Sequence, residues 1–214
     1  MADLSVHDAI FTTRSMRRLL PDPVPRGDLE YIIEAATMAP SAGNLQLWAF
    51  VIVTERAARE QIAVAYREAG RRYIRDGVLG DPATGDEQRR VYTQAMHTVE
   101  HLAEAPVIVV PCLTVPCPDI AAVGSGLFGS IYPAIQNLML AARSRGLGSV
   151  LLTLATDYCP AGALDCTPVR EVLNLPDHVR AAALLPIGYP AGAWGRPRRK
   201  PFADCTHWES WGGA

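Results

Sequence analysis

The chain has no G-x-G-x-x-G and no G-x-x-x-x-G-K-[ST] run, so neither of the common glycine loops that cradle nucleotide phosphates organises it. Its five cysteines, Cys112, Cys117, Cys159, Cys166 and Cys205, form no C-x-x-C pair. Reduced thiols are expected, not a zinc centre or a disulfide framework, and no metal site is assigned. Charge of one sign is also missing. Twenty Lys and Arg against 22 Asp and Glu give a net charge of -2, which argues against nucleic acid or a membrane surface as the main partner. No cationic stretch followed by an apolar run opens the chain, so a cytoplasmic protein is expected. Nor is there an internal repeat, a low-complexity tract or a persuasive catalytic triad. Cys205 and His207 are close in sequence, but side chains two apart on a strand share only a face.

What is present is apolar: 49% of 214 residues are hydrophobic, enough for one sizeable core and a single domain over residues 1–214. The longest uncharged run is Ile120 to Ala142, ended by Arg143-Ser-Arg-Gly-Leu-Gly-Ser149. From about Gly126, Leu127, Ile131, Ala134, Leu138 and Ala141 line one helical face, and Phe128, Tyr132, Ile135, Met139 and Ala142 the next. A helix apolar nearly all round belongs in a core or a dimer interface. Its length also fits a membrane span, but Pro133, Gln136 and Asn137 in its middle oppose that reading. Gly146 and Gly148 stop the helix, and Val150 to Leu154 reads as a buried strand or strand-like turn.

Around this helix the pattern alternates. Ser5-Val-His-Asp8 reads as a capping box opening a short helix through Phe11. Leu29, Ile32, Ile33 and Ala36 mark an amphipathic helix ending before Pro40, followed by a strand from Ala49 to Thr54. Helices are expected from Ala57 to about Tyr73 and from Gln88 to Ala103. Between Arg71 and Arg90 the period fails and glycines and charges accumulate, which reads as a mobile loop over a pocket. Ala105 to Leu113 is a strand buried on both faces. Thr167-Pro168 opens a further helix through Leu173, and Arg180 to Tyr189 reads as the last core strand.

Several polar groups stand out. Arg14 and Arg17 flank Ser15, a fork suited to an anion or a ring carbonyl; a solvated helix end is the plainer reading. Ala39-Pro-Ser-Ala-Gly-Asn-Leu-Gln-Leu-Trp48 reads either as a loop recognising the edge of a planar ring or as an ordinary turn. His97 and His101, four apart, have metal-pair spacing but lack the glutamate of H-E-x-x-H, which favours exposed or partner-facing histidines. Gly195-Arg-Pro-Arg-Arg-Lys-Pro201 is a solvated basic tail, a localisation-type patch, or half of a phosphate site. The following Cys205-Thr-His-Trp-Glu-Ser-Trp211 is too aromatic to be left free, and is expected to pack on something such as a second subunit.

Taken together, Arg14-Ser15-x-Arg17, Ala39-Pro-Ser-x-x-Asn-x-Gln-x-Trp48, Gln136-Asn137 before Arg145-Gly-Leu-Gly-Ser149, and Leu184-Leu-Pro-Ile-Gly-Tyr-Pro190 before Arg199-Lys-Pro201 resemble the FMN-dependent nitroreductase family. The resemblance covers essentially the whole chain. It implies an α+β fold with a mixed, mainly antiparallel sheet flanked by helices and a long buried central helix. It also implies an intertwined homodimer with FMN in the interface and residues 202–214 as an arm on the partner. By position, Arg14 and Ser15 would hold the FMN phosphate and ribityl chain, and Arg17 the flavin N1 and C2 carbonyl region. Pro40, Ser41, Ala42 and Asn44 would lie against the other subunit's ring. The backbone of Leu151, Leu152, Thr153 and Leu154 would lie near N5, and Arg199 would supply a second phosphate arginine. The implied activity is NAD(P)H-driven, ping-pong reduction of a small-molecule electron acceptor such as a nitroaromatic or a quinone, with the flavin rather than a protein acid or base carrying the chemistry. Relatives that reduce enones, dehalogenate or consume the flavin keep the fold and change the reaction; a flavin-binding protein without turnover is the non-enzymatic alternative. Three departures stand out: Thr13 where the family often has arginine, Leu47 where it has proline, and Thr153-Leu154 where a Glu-Gly pair is frequent.

Overall fold

The computed structural model describes residues 4–115, 125–157 and 167–213. Residues 120–124 of the apolar run, together with Cys117, Cys159 and Cys166, lie outside them. The architecture follows from one strand, β2 (Val107–Thr114). Its side chains alternate: Val107, Val109 and Leu113 enter one apolar cluster, and Ile108, Val110 and Cys112 enter another on the opposite face. Burial on both faces explains why the sequence shows a continuous apolar run instead of alternation. β1 (Trp48–Val53) pairs along one side of β2. On the other side, β5 (Leu185–Gly188) and β4 (Val179–Ala181) share β2, and β3 (Gly148–Ser149) lies beyond β5. These pairings are all antiparallel; the parallel component among the described residues is a single bridge between Ser15 and Ser149. The expected mixed, mainly antiparallel α+β arrangement is therefore present.

The expected strand over residues 180–189 is split. Ala182 N bonds Pro111 O at 2.8 Å, and Leu184 then turns from β2 to exchange two hydrogen bonds with Leu152, at 2.9 and 3.0 Å. The uniform apolar sequence conceals this change of partner, because both halves stay buried.

One face of the sheet is covered by α2 (Arg26–Thr37) and α5 (Ser125–Ser144). Ile32, Ala36, Ile131, Ala134, Ile135 and Leu138 pack with Val109 and Leu185 in that layer. The central helix is thus buried along one broad face, while Leu127, Phe128, Tyr132 and Met139 are only partly covered. No described helix is long and apolar enough to cross a membrane. The other face carries α3 (Arg56–Gly70), α4 (Asp86–His101) and α6 (Thr167–Val172). A π-helical stretch, Arg71–Val78, continues directly from α3. Residues 71–90 are therefore largely helical, not the irregular loop expected. The wider i to i+5 repeat breaks the 3.6-residue pattern that sequence reading relies on. Only residues 79–85 turn, and Arg89 closes that turn by donating to Leu79 O at 2.7 Å and Asp81 O at 3.0 Å.

Two side chains fasten this layer. Arg59 donates to the carbonyls of Thr54, Ala103 and Ala105 at 3.3, 2.6 and 2.5 Å, joining the start of α3 to the end of the α4 region. Arg170 Nη1 lies 3.1 Å from Asp157 Oδ1 and also donates to Val179 O, while Asp157 Oδ2 accepts from Ala181 N at 2.7 Å. At the N-terminus, α1 (Val6–Thr12) begins as expected: Ser5 Oγ accepts from Asp8 N at 3.0 Å.

Two outcomes test this packing. Asp157→Ala leaves the partly buried Arg170 guanidinium without its carboxylate and Ala181 N without its acceptor, and denaturant unfolding should show a loss of about 1–3 kcal/mol; an unchanged midpoint would contradict the clasp. A Cβ at Gly148 would sit 2.8 Å from Met16 Cβ, so Gly148→Ala should cost about 1–3 kcal/mol by overpacking and displace residues 14–17 from the sheet edge.

Candidate functional site

Residues 14–20 run along the sheet edge beyond β3 and β5. Met16 N bonds Ser149 O at 2.9 Å, Ala191 N bonds Arg18 O at 3.0 Å, and Leu20 N bonds Tyr189 O at 2.7 Å. Alternate residues thus face the sheet. The C-terminal segment crosses the same region, held by groups that carry no negative charge. Arg14 Nη2 donates to Ala193 O at 2.7 Å. The Arg143 guanidinium lies 4.1 Å from the Trp194 ring centroid while its Nε donates to Thr12 Oγ1, and Arg196 lies 4.7 Å above Phe11. Arg199 Nη1 donates to Arg198 O at 2.8 Å.

Together these elements wall a cavity of about 700 Å³ lined by Ile10, Phe11, Thr13, Arg14, Ser15, Gln136 and Met139, and by residues 196–199. Four of these residues are arginines and none is acidic. The two ends of the chain, 185 positions apart at Arg14 and Arg199, thus meet at one site, although the sequence gives no local sign of it. Arg14 and Ser15 also line a second cavity of about 510 Å³, with Arg17, Arg18, Thr93, Gln94 and His97 among its other residues. Here too no acidic side chain contributes. The Arg17 guanidinium is half-buried, and that burial pushes its pKa below the ordinary arginine value.

The remaining residues expected at the site lie elsewhere on the molecule. Pro40, Ser41, Ala42 and Asn44 form an outward-facing turn anchored on α5: Ala42 N donates to Ser130 Oγ at 3.0 Å, and Ser130 Oγ donates to Gly126 O at 2.7 Å. Ser41 Oγ accepts from Gln46 N at 3.1 Å, and Gly43, Asn44 and Gln46 all have left-handed backbone, with φ of 57°, 54° and 51°. Such conformations in non-glycine residues mark a turn fixed by its surroundings. Of residues 151–154, Leu152 and Leu154 point into the core beside α3 and α6, whereas Leu151 is exposed and Thr153 partly so. Neither group lines the arginine cavities of this one chain.

Some site residues are not evident from the sequence. Arg18, Thr93 and Gln94 line the second cavity without belonging to any motif, and His97, noted only for its spacing to His101, lines it with them. His97, expected to be exposed or partner-facing, is partly buried within this chain, and its Nδ1 is buried with no hydrogen-bond partner. His101 lies beside it, ring centroids 4.5 Å apart; among the described residues no group of three or more His, Cys, Asp or Glu is placed to hold a metal ion.

The chain has known relatives. The chain is 30% identical to an NADH dehydrogenase of Thermus thermophilus over 226 residues, covering 96% of each protein. It is also 30% identical to 5,6-dimethylbenzimidazole synthase of Rhodospirillum rubrum, over 86% of this chain and 81% of that protein. A crystal structure of oxidized iodotyrosine deiodinase bound to FMN and 3-iodo-L-tyrosine shares the fold, with a TM-score of 0.72 and 24% identity over 92% of this chain and 96% of that one. Residues 10–189 match the Nitroreductase family, and with more than four fifths of its length inside that match, the protein belongs to this family.

Proposed function

We propose that the protein is an FMN-dependent oxidoreductase, acting as a homodimer, that takes electrons from NAD(P)H and passes them to a small organic acceptor such as a nitroaromatic or a quinone. The observation that carries this reading is the cavity with four arginines and no carboxylate in its lining. Guanidinium groups gathered without a counter-charge call for an anion, and their planar donors match phosphate oxygens. The donor set thus fits the dianionic end of FMN.

Arg14 and Arg199 would hold that phosphate, with Arg196 and Arg198 adding charge and Ser15 a hydroxyl donor. Arg17, half-buried and desolvated, would face the flavin's pyrimidine edge, where a preorganised cation stabilises negative charge best. FMN, when bound, supplies the centre that accepts and returns hydride. The protein's own part is then to bind, orient and exclude water, and no side-chain acid, base or nucleophile is required. The prebuilt turn of Pro40, Ser41, Ala42 and Asn44 would close over the cofactor of the other subunit, and the backbone of Leu151, Leu152, Thr153 and Leu154 would approach its reactive face. Exposed Ile10, Leu45 and Phe202, and Trp211 at 91% exposure, would be covered in the dimer, with residues 202–214 as an arm on the partner.

A second reading keeps the cofactor and changes the acceptor. It is favoured by the similarity to a benzimidazole synthase and to iodotyrosine deiodinases, whose names describe different reactions. A panel of nitroaromatic, quinone, enone and halophenol acceptors under steady-state conditions separates the two.

Two measurements test the primary reading. The purified protein should be yellow, should bleach on anaerobic addition of NADH or NADPH, and should recolour when an acceptor is added; protein that neither carries nor takes up FMN would contradict it. Arg14→Ala should raise the FMN Kd by about ten- to a hundred-fold, the loss expected for one charge-assisted hydrogen bond, and an unchanged Kd would remove Arg14 from the site.

A further inference from the structure

We infer that a small cavity between α4 and the N-terminal segment binds one monovalent inorganic anion of halide size, with Thr98 Oγ1 and His97 Nδ1 as donors and Arg17 and Arg18 supplying the charge. Neither the anion nor its donors depend on the reading of the arginine cavities as a flavin site.

Thr98 leads to it. A threonine in a helix ordinarily satisfies its hydroxyl on the carbonyl four residues back. Thr12, Thr13 and Thr93, in or at the end of helices, all donate in this way, to Asp8 O, Ala9 O and Arg89 O. Thr98, well inside α4 and only 4% exposed, does not: its Oγ1 is buried and has no partner. The Nδ1 of the adjacent His97 is buried and unpartnered as well. Such atoms are rare in folded proteins, and each calls for a partner.

Both residues wall the same cavity, of about 170 Å³, together with Arg17, Arg18, His101 and Glu104. It is smaller than the pockets of about 300–1,000 Å³ that take organic ligands, and larger than the about 10–15 Å³ that a single water requires. A small ion with part of its hydration shell fits.

Charge decides between an ion and water alone. The Arg17 guanidinium is half-buried, and among the described residues neither it nor Arg18 pairs with a carboxylate. The acid in the wall, Glu104, is engaged by His101 Nδ1 at 2.8 Å. Two guanidinium charges against one carboxylate leave an excess of one positive charge, which a monovalent anion balances and water does not. The same excess opposes a metal cation. The His97 ring senses this field: burial lowers its pKa, and the charges of Arg18 and His101 lower it further. A neutral imidazole still donates from Nδ1 when the proton resides there. Arg17, Arg18 and His97 also line the cavity of about 510 Å³, so the anion would sit directly behind the wall of that larger space.

The test uses the whole protein with potassium bromide as the probe, against potassium gluconate at equal ionic strength. In histidine ¹⁵N NMR the His97 resonances should move saturably with bromide toward an Nδ1–H tautomer, and should not move with gluconate. Thr98→Val keeps the shape of the side chain and removes the hydroxyl; it should weaken bromide binding about ten-fold, the order of one hydrogen bond to a charged group. Arg18→Gln should weaken it about two- to ten-fold, the range of one partly screened charge. The Thr98 variant also separates this site from the arginine cavities, where bromide can collect without touching α4. Bromide soaked into crystals should give an anomalous peak within hydrogen-bond distance of Thr98 Oγ1. Shifts that never saturate, an affinity unchanged in Thr98→Val, or a cavity that holds only water in bromide would each overturn the inference. Should the variants fail to fold, the wild-type titration and the anomalous peak decide.

Discussion

The arrangement that everything else serves is a set of guanidinium groups held in place by neutral partners. Arg14 rests on a carbonyl, Arg196 on an aromatic face, and Arg199 on the carbonyl of its neighbour. Each contact fixes geometry without consuming charge. A carboxylate in the same role would anchor the arginine equally well and leave nothing for a ligand. Elsewhere the protein uses that cheaper solution, as in Arg71 with Glu100 and Arg170 with Asp157. Around the cavity it does not, which leaves an excess of positive charge in its lining.

Assembling such a site from residues near both termini places a demand on the sheet. The N-terminal segment has to reach the edge beyond β3 closely enough to bond Ser149, and Gly148 makes that approach possible because any side chain there would collide with Met16. The C-terminal segment then crosses outside it, pinned by rings and carbonyls. Beneath both, the long helix α5 supplies Gln136 and Met139 to the cavity floor while its opposite face builds the core. The geometry of the arginine cavity is therefore a by-product of how the sheet edge is closed. That makes the stability of β3 and the integrity of the site one property.

Much of this is visible in the residues themselves. The capping serine, the doubly buried β2, the amphipathic α2 and the apolar α5 each follow from patterns with a physical period, and the structure contains them within a few residues of their expected bounds. The arginine fork and the basic C-terminal run are also legible as types of residue. What the chain could not disclose locally is their meeting, since nothing in Arg14 or Arg199 encodes a partner 185 positions distant. Three other features escaped for separate reasons. The π-helical stretch at Arg71–Val78 has a repeat that the usual helical template does not match. The division between β4 and β5 is invisible because every residue through it stays apolar. His97, read as exposed or partner-facing, is partly buried in this chain because helical periodicity specifies a face but not what packs on it.

If the cation cluster recognises a dianionic phosphate, it should distinguish FMN from riboflavin. The two ligands share the tricyclic ring and differ in that one group. Equilibrium affinities measured for both, at low and high salt, should favour FMN by at least about a hundred-fold at low salt, the sum of two charge-assisted hydrogen bonds, with the advantage shrinking as salt rises. Equal affinity for the two ligands, or a preference for FMN indifferent to salt, would contradict phosphate recognition by these arginines.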